Sequence, residues 1–171
     1  MHVRMAGPGD ESALAELLNK IDSESEYMLY EKGERNLTAA QAGRMIEHFC
    51  EEEKLTIFVA EQAKHLVGYG LLLGEKLKKN EHRAALVLGV KQAAQGKGTG
   101  MAIMKALEDQ ALKNGVKRLE LTTLQSNAPA LHLYKKCGFK EEGVRKGSLY
   151  ARGHFEDELY LGKWLEEEVT R

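Results

Sequence analysis

This chain is poor in the residues that advertise specialised chemistry. Its 171 residues include two cysteines, two prolines and one tryptophan, and aromatics make up 6%. Cys50 and Cys137 are far apart and form no metal-ligand spacing. They read as reduced core thiols in a reducing cytosol. The six histidines contain no His-x-x-x-His pair, so no metal is expected. The formal net charge is −1, which leaves no global basic field for nucleic acid. The basic run Lys76-Leu77-Lys78-Lys79 reads as a solvated turn. No apolar run approaches membrane-spanning length, and the first residues lack the apolar core of a signal peptide. A cytoplasmic protein with no membrane or nucleic-acid partner is therefore expected. No repeat and no low-complexity segment interrupts the chain. What is present is 43% hydrophobic and 30% charged. That composition suits one globular domain over residues 1–171 with a sizeable core.

The most informative stretch runs from Ala84 to Gly100. An apolar run, Ala84 to Val90, ends in a polar loop with glycines at alternate positions, Gly96, Gly98 and Gly100. A helical pattern rich in alanine and methionine follows at once. Strand, glycine turn and helix start form a cradle for a phosphorylated ligand. The turn's N–H groups face the anion, and the helix N-terminus adds roughly half a positive charge. A Walker loop fails here, because Lys91 stands where its first glycine belongs and Gly98 follows Lys97. A Rossmann turn needs Gly-x-Gly-x-x-Gly, whereas the spacing here is Gly-x-Gly-x-Gly, although Glu120 lies near the expected acidic offset. A third pattern is Gln95-x-x-Gly98-x-Gly100, entered from Leu88-Gly89-Val90. The plain alternative is a turn that only starts a helix.

The rest of the chain supplies context. His2 to Met5 is a short strand candidate, followed by the Gly7-Pro8-Gly9 turn. Asp10 can cap a helix whose apolar face is Leu14, Leu17, Leu18 and Ile21. Asp22 to Leu37 has no clean period. Thr38-x-x-Gln41 is a capping box for a helix carrying Ala42, Met45, Ile46 and Phe49 on one face. Leu55–Glu61, Leu66–Leu73 and Arg83–Val90 read as three antiparallel strands. A helix follows from about Gly98 to Asn114, with Met104, Leu107 and Ala111 inward and Gly115 as its stop. Val116 to Thr123 alternates and completes a right-handed βαβ unit. A short helix holds Pro129 in its first turn and ends at Gly138. Phe139–Arg145 and Phe155–Leu165 are predicted strands, with residues 146–154 as the loop between them and Glu166-Glu167-Glu168 as a solvated tail.

Asn127, Ala130, Leu133, Tyr134, Gly138 and Phe139 fall in the order Asn-x-x-Ala-x-x-Leu-Tyr-x-x-x-Gly-Phe, one βα unit after Gln95-x-x-Gly98-x-Gly100. Together these two patterns resemble the GNAT-type N-acetyltransferases over about residues 55–165. The resemblance implies an α/β (α+β) fold. Its central sheet is mixed, mostly antiparallel and twisted, with six to seven strands, helices on both faces and a splayed parallel pair at the centre. In that family a bulge in the central strand parts the pair. The cosubstrate implied is acetyl-CoA, whose acetyl group passes to a primary amine by direct attack in a ternary complex. Gly96, Gly98, Thr99 and Gly100 would give main-chain donors to its diphosphate. Gln95 would hold the loop or donate to phosphate, and Lys97 could add charge at the rim. Leu88, Gly89 and Val90 would line the pantetheine arm, with the Val90 N–H facing the developing oxyanion. Asn127 would bond the arm or only cap its helix. Tyr134 would protonate the leaving thiolate, a phenol of reference pKa about 10 being a reasonable donor. The plain alternative for Tyr134 is a core tyrosine.

No general base is assigned. Some relatives carry a glutamate on the central strand where this chain has Ala84; Glu81, His82 and Glu120 are the nearby alternatives. Residues 1–53 correspond to the family's variable acceptor side and residues 54–165 to its coenzyme-binding and catalytic part. Tyr27, Tyr30, Glu31 and Tyr150 are candidates to contact the acceptor, beside Glu26, Glu34 and His154. Small-molecule and peptidyl amines both remain open. A homodimer through C-terminal strands is a further expectation, with Trp164 as contact or core. The rival reading from another class is a non-catalytic acetyl-CoA-binding sensor.

Overall fold

The computed structural model describes residues 1–165; the Glu166–Glu168 tail lies outside the described residues. Seven strands form one sheet in the order β1-β2-β3-β4-β5-β7-β6. They are β1 (His2–Met5), β2 (Leu55–Gln62), β3 (His65–Gly74), β4 (Arg83–Val90), β5 (Arg118–Leu124), β6 (Lys140–Ala151) and β7 (His154–Trp164). Only β4 and β5 run parallel. The helices are α1 (Glu11–Glu24), α2 (Ala39–Glu51), α3 (Thr99–Lys113) and α4 (Ala128–Lys136), and a 3₁₀ turn spans Gln92–Ala94. The mixed sheet expected from sequence is therefore present.

Strand alternation splits the core into two layers. In β2, Ile57 and Val59 pack with Leu14, Leu17, Leu18 and Ile21 of α1. Phe58 and Ala60 face the other way, with Ile103, Met104 and Leu107 of α3. Close approach of α3 to β3 depends on a missing side chain. A Cβ on Gly70 would lie 2.5 Å from Ile103 Cγ2. That contact fixes α3, and with it the glycine turn at its head. The capping box on α2 forms as expected: Thr38 N–H donates to Gln41 at 2.8 Å, and Gln41 N–H donates to Thr38 Oγ1 at 3.1 Å.

Asp10 precedes α1 but makes no side-chain cap. Its carboxylate instead accepts from both Nη atoms of Arg4 at 2.8 Å and from the Gly7 N–H at 2.9 Å. An arginine fork outcompetes a single helix N–H because the hydrogen bonds are charge-assisted and paired. Cys50 is exposed on α2, not a core thiol, and Cys137 is half-buried. The expected loop 146–154 is mostly strand: β6 continues to Ala151, and only Arg152-Gly153 turns. Both turn residues have positive φ, 53° and 82°, which suits a two-residue hairpin.

The parallel pair is short. β4 and β5 pair only at Arg83↔Arg118, Ala84↔Leu119 and Ala85↔Glu120. Beyond Ala85, β4 stays with β3 and β5 stays with β7, so the two halves of the sheet part. The β3–β4 register is unbroken from Gly74↔Ala84 to Gly68↔Val90. The bulge expected in the central strand is therefore not what parts them. Each strand keeps its antiparallel neighbour, and the sheet's twist carries the two halves away from each other.

Candidate active site

The parted strands expose backbone in a defined pattern. The Lys91 N–H donates to the Val67 carbonyl at 2.9 Å. In an antiparallel ladder the bonded positions alternate, so Lys91 and Gly89 point their polar groups at β3. Leu88 and Val90 point theirs into the gap. The Val90 carbonyl is taken by Gln95 Nε2 at 3.1 Å, which leaves its N–H as the donor facing the opening. Gln95 thus ties the loop back to the end of β4.

The glycine turn ends at an uncapped helix. Gly98 is the N-cap of α3 at φ 83°, with no side-chain cap, and Gly96 has φ 68°. The backbone there needs the left-handed region, which other residues rarely adopt. The N–H groups of Thr99, Gly100 and Met101 are the unpaired donors at the head of the helix dipole. The Thr99 hydroxyl is buried and spent on the Ala94 carbonyl at 3.0 Å, so only its main chain faces a ligand. At Gly100 the demand is space: a Cβ would lie 2.9 Å from Leu133 Cδ2 of α4. Lys97 bends back, with Nζ on the Ala93 carbonyl at 2.7 Å, and does not line the cavity described below.

The spacing Tyr-x-x-x-Gly-Phe has a mechanical reason. α4 ends in a Schellman motif. Gly138 N–H donates to the Lys135 carbonyl and Phe139 N–H to the Tyr134 carbonyl, both at 3.0 Å. Phe139 is buried and its ring packs on that of Tyr134, centroids 6.1 Å apart. The motif therefore locks the last turn that carries Tyr134. Asn127 opens the same helix. Its Oδ1 accepts from Ala130 N–H and its Nδ2 donates to Thr123 Oγ1, each at 3.3 Å.

One cavity of about 790 Å³ joins these parts. Its lining includes Leu88, Gly89, Val90, the glycine turn, Asn127 and Tyr134. Tyr134 is 7% exposed, and burial pushes its phenol up to about 12. It stays protonated at neutral pH. His132 and Lys136 of α4 also line the cavity, although the sequence reading passed over them. Their spacing of four residues, which puts both on one helix face, was the available signal.

The acceptor-side candidates separate. Tyr27 lines the cavity, together with Glu24, Glu26 and Met28. Glu24 accepts from the Gln92 N–H at 2.9 Å, which holds its carboxyl below the usual range and ties α1 to the end of β4. Tyr30, Glu31 and Tyr150 do not line this cavity. Tyr30 lies under Arg35, 4.7 Å from ring centroid to guanidinium. The Glu31 N–H donates to Glu34 at 2.9 Å. Tyr150 is exposed and packs edge-on against Phe155, centroids 5.2 Å apart. Beneath this segment, Arg35 Nη2 pairs with Asp22 Oδ2 at 2.8 Å, and Asp22 is 4% exposed. Burial holds the Asp22 carboxyl above its usual range, against the pull of Arg35.

Of the base candidates, Glu120 sits at the closed end of the gap, bound to Arg118 Nε at 3.0 Å. Ala84 is fully buried. Trp164 is exposed at the end of β7, its ring stacked on His82 at 6.1 Å. Among the described residues no helix is long and apolar enough to cross a membrane, and no cluster of His, Cys, Asp and Glu could hold a metal.

Residues 16–139 match the family described as acetyltransferase (GNAT). The chain is 30% identical over 101 residues to the L-amino acid N-acetyltransferase AaaT of Escherichia coli (strain K12), covering 57% of this chain and 61% of that protein. The match thus spans about three fifths of that relative's length. A solved structure of a GNAT-family acetyltransferase from Streptococcus pneumoniae aligns with a TM-score of 0.91 at 23% identity, over 96% of this chain and 99% of that one. yncA of Salmonella typhimurium, a putative acetyltransferase solved with its cofactor acetyl-CoA, aligns at 0.86 and 19% identity, over 99% of this chain and 96% of that one.

Proposed function

The chain belongs to the acetyltransferase (GNAT) family, and on that premise we propose that it transfers the acetyl group of acetyl-CoA to a primary amine by direct attack within a ternary complex. The observation that carries this reading is the shared cavity. The glycine turn, the open backbone of β4 and the Tyr134 phenol line the same space. A diphosphate fits the uncapped start of α3, where Gly96 to Met101 offer main-chain donors. Lys136 supplies the positive charge on the wall that Lys97 does not, and the His132 ring stands on the same helix face. Leu88 offers its main chain to the pantetheine amides, as an added strand would.

The thioester supplies an activated acetyl carbon. The Val90 N–H meets the charge that develops on its carbonyl oxygen. As the amine nitrogen bonds to that carbon and the carbon–sulfur bond breaks, Tyr134 gives its proton to the sulfur, and the proton that the acylated nitrogen sheds passes to water, which restores the phenol. The reacting amine must be unprotonated, and for a lysine-like amine only about one molecule in a thousand is so at neutral pH. Rate therefore rises with pH through that range. Residues 1–53 serve mainly the acceptor, and the rest serves the coenzyme and the chemistry. An amine acceptor is also supported by the name of the Escherichia coli relative, an L-amino acid N-acetyltransferase.

A second reading, a sensor that binds acetyl-CoA without turnover, draws on Ala84 and on the engaged Glu120. A thiol-release assay over an amine panel separates the two. Steady release of CoA that depends on an amine, and that falls in Tyr134→Phe, supports the enzyme. Tight acetyl-CoA binding with no turnover across the panel supports the sensor.

A further inference from the structure

The hairpin tip between β6 and β7 carries a feature that acetyl transfer alone does not require. Arg152 occupies the first turn position at φ 53°, where asparagine, aspartate or glycine is the usual choice. A long charged side chain in that conformation is uncommon, and its neighbours hold it there. Nη2 bonds to Glu156 and donates to Ser126 Oγ at 2.7 Å. Glu156 is nearly buried and also meets His154 Nε2 at 2.9 Å. The guanidinium lies over the ring of Tyr27, 5.2 Å from its centroid. Only Nη1 is loosely engaged, at 3.4 Å from Glu26, whose carboxylate is 67% exposed. Tyr27 and Glu26 both line the large cavity.

One edge of the guanidinium is thus fixed by the hairpin and by Ser126, next to Asn127. Its face is backed by an aromatic ring, and its other edge meets a replaceable carboxylate at the cavity rim. Arginine's planar fork suits a carboxylate, and an aromatic backing holds that fork in plane. We propose that Arg152 reads a carboxylate on the acceptor, so that the amine acetylated here belongs to an amino acid. The acceptor's carboxylate takes the place of Glu26 on Nη1, while Glu156 and Ser126 keep Nη2. Exchange of one carboxylate for another leaves the charge around the guanidinium unchanged. Glu26 returns to water, where it is already mostly exposed. The proposal rests on the acetyl-transfer reading and narrows its substrate class.

The test uses L-leucine, L-glutamine and L-phenylalanine, each beside its carboxamide, with acetyl-CoA at saturation and every constant expressed per molecule of unprotonated amine, because an α-amino group beside a carboxamide sheds its proton at lower pH than one beside a carboxylate. In the wild-type protein the free acids are expected to exceed their carboxamides in kcat/KM by about 10- to 100-fold, the scale of one charge-assisted hydrogen bond. Arg152→Gln should raise KM for the acids by a similar factor, leave their kcat nearly unchanged and leave the carboxamides unaffected. Arg152→Lys should restore part of the difference. Equal turnover of acid and amide in the wild type overturns the proposal, as does an equal loss for both in Arg152→Gln. Acetyl-CoA binding measured by calorimetry separates the two levels. Failure to bind it removes the acetyl-transfer reading and this proposal together. Binding followed by carboxylate-blind turnover removes this proposal alone.

Discussion

The two walls of the cavity are built on different principles. On the side we assign to the coenzyme, the groups on offer are main chain: the uncapped start of α3, the Val90 N–H and a turn bent by Gly96 and Gly98. On the side we propose for the acceptor, the groups on offer are side chains, Glu24, Glu26, Tyr27 and Met28. They are held from outside the lining: Arg152 reaches Glu26 across 126 residues of sequence, and its guanidinium lies over the Tyr27 ring. A backbone wall presents one fixed ligand in one fixed way. A side-chain wall can be rewritten residue by residue, which suits the part of a fold that selects the acceptor.

The sharpest break in that comparison is Tyr134, a side chain at the heart of the main-chain wall. Tyr134→Phe should cut kcat by about 10²- to 10⁴-fold and leave the KM for acetyl-CoA nearly unchanged. With the phenol pushed up to about 12, the wild-type rate should show no falling limb from this group until pH approaches that value, and a pH–rate profile checks it. The next largest effect is on folding. Arg35→Ala strands the buried Asp22 carboxylate and should cost about 3–5 kcal/mol in urea unfolding. A smaller figure would mean that Asp22 takes a proton once its partner is gone. Gly98→Ala puts a Cβ on a φ of 83° and should cost about 1–2 kcal/mol. For a chain of this size that is roughly 2–8 °C in Tm. Acetyl-CoA affinity should fall with it, and acceptor discrimination should not.

The smallest effect concerns Asp10, away from both walls. Arg4 holds its carboxyl below the usual range, so its stabilising contribution is fully present above the ordinary carboxylate pKa. That contribution is lost as pH falls through the lowered folded value. Asp10→Asn should therefore lower the urea midpoint at pH 7, and the difference from wild type should close as pH falls below the ordinary carboxylate range.

Legibility followed the same division. Gln95-x-x-Gly98-x-Gly100 and the Tyr-x-x-x-Gly-Phe run were readable because each encodes a local event, a left-handed turn in one case and a Schellman stop in the other. β6 was not readable beyond Arg145. It is an edge strand exposed along most of its length, so no apolar alternation marks Lys146 to Ala151. Its pairing with β7 alone makes it a strand. Asp10 looked like a cap because its position allows one, and Arg4 could be ranked against the helix N–H only once both were in place. Among the acceptor candidates Tyr27 and Glu26 line the cavity, and Tyr30, Glu31, Glu34, Tyr150 and His154 do not. Charge and aromaticity select residues able to contact a substrate, but they carry no direction.

By itself the sequence determined the order of helices and strands, the glycine turn and the capped helix that presents Tyr134. Those features follow from backbone preferences over a few residues. The tertiary structure alone decided how far β4 and β5 part, where Lys97 points, which carboxylates are already engaged, and that Arg152 stands over Tyr27. Such outcomes turn on competition between partners far apart in the chain, and the winner is set by distance and burial once the sheet has formed.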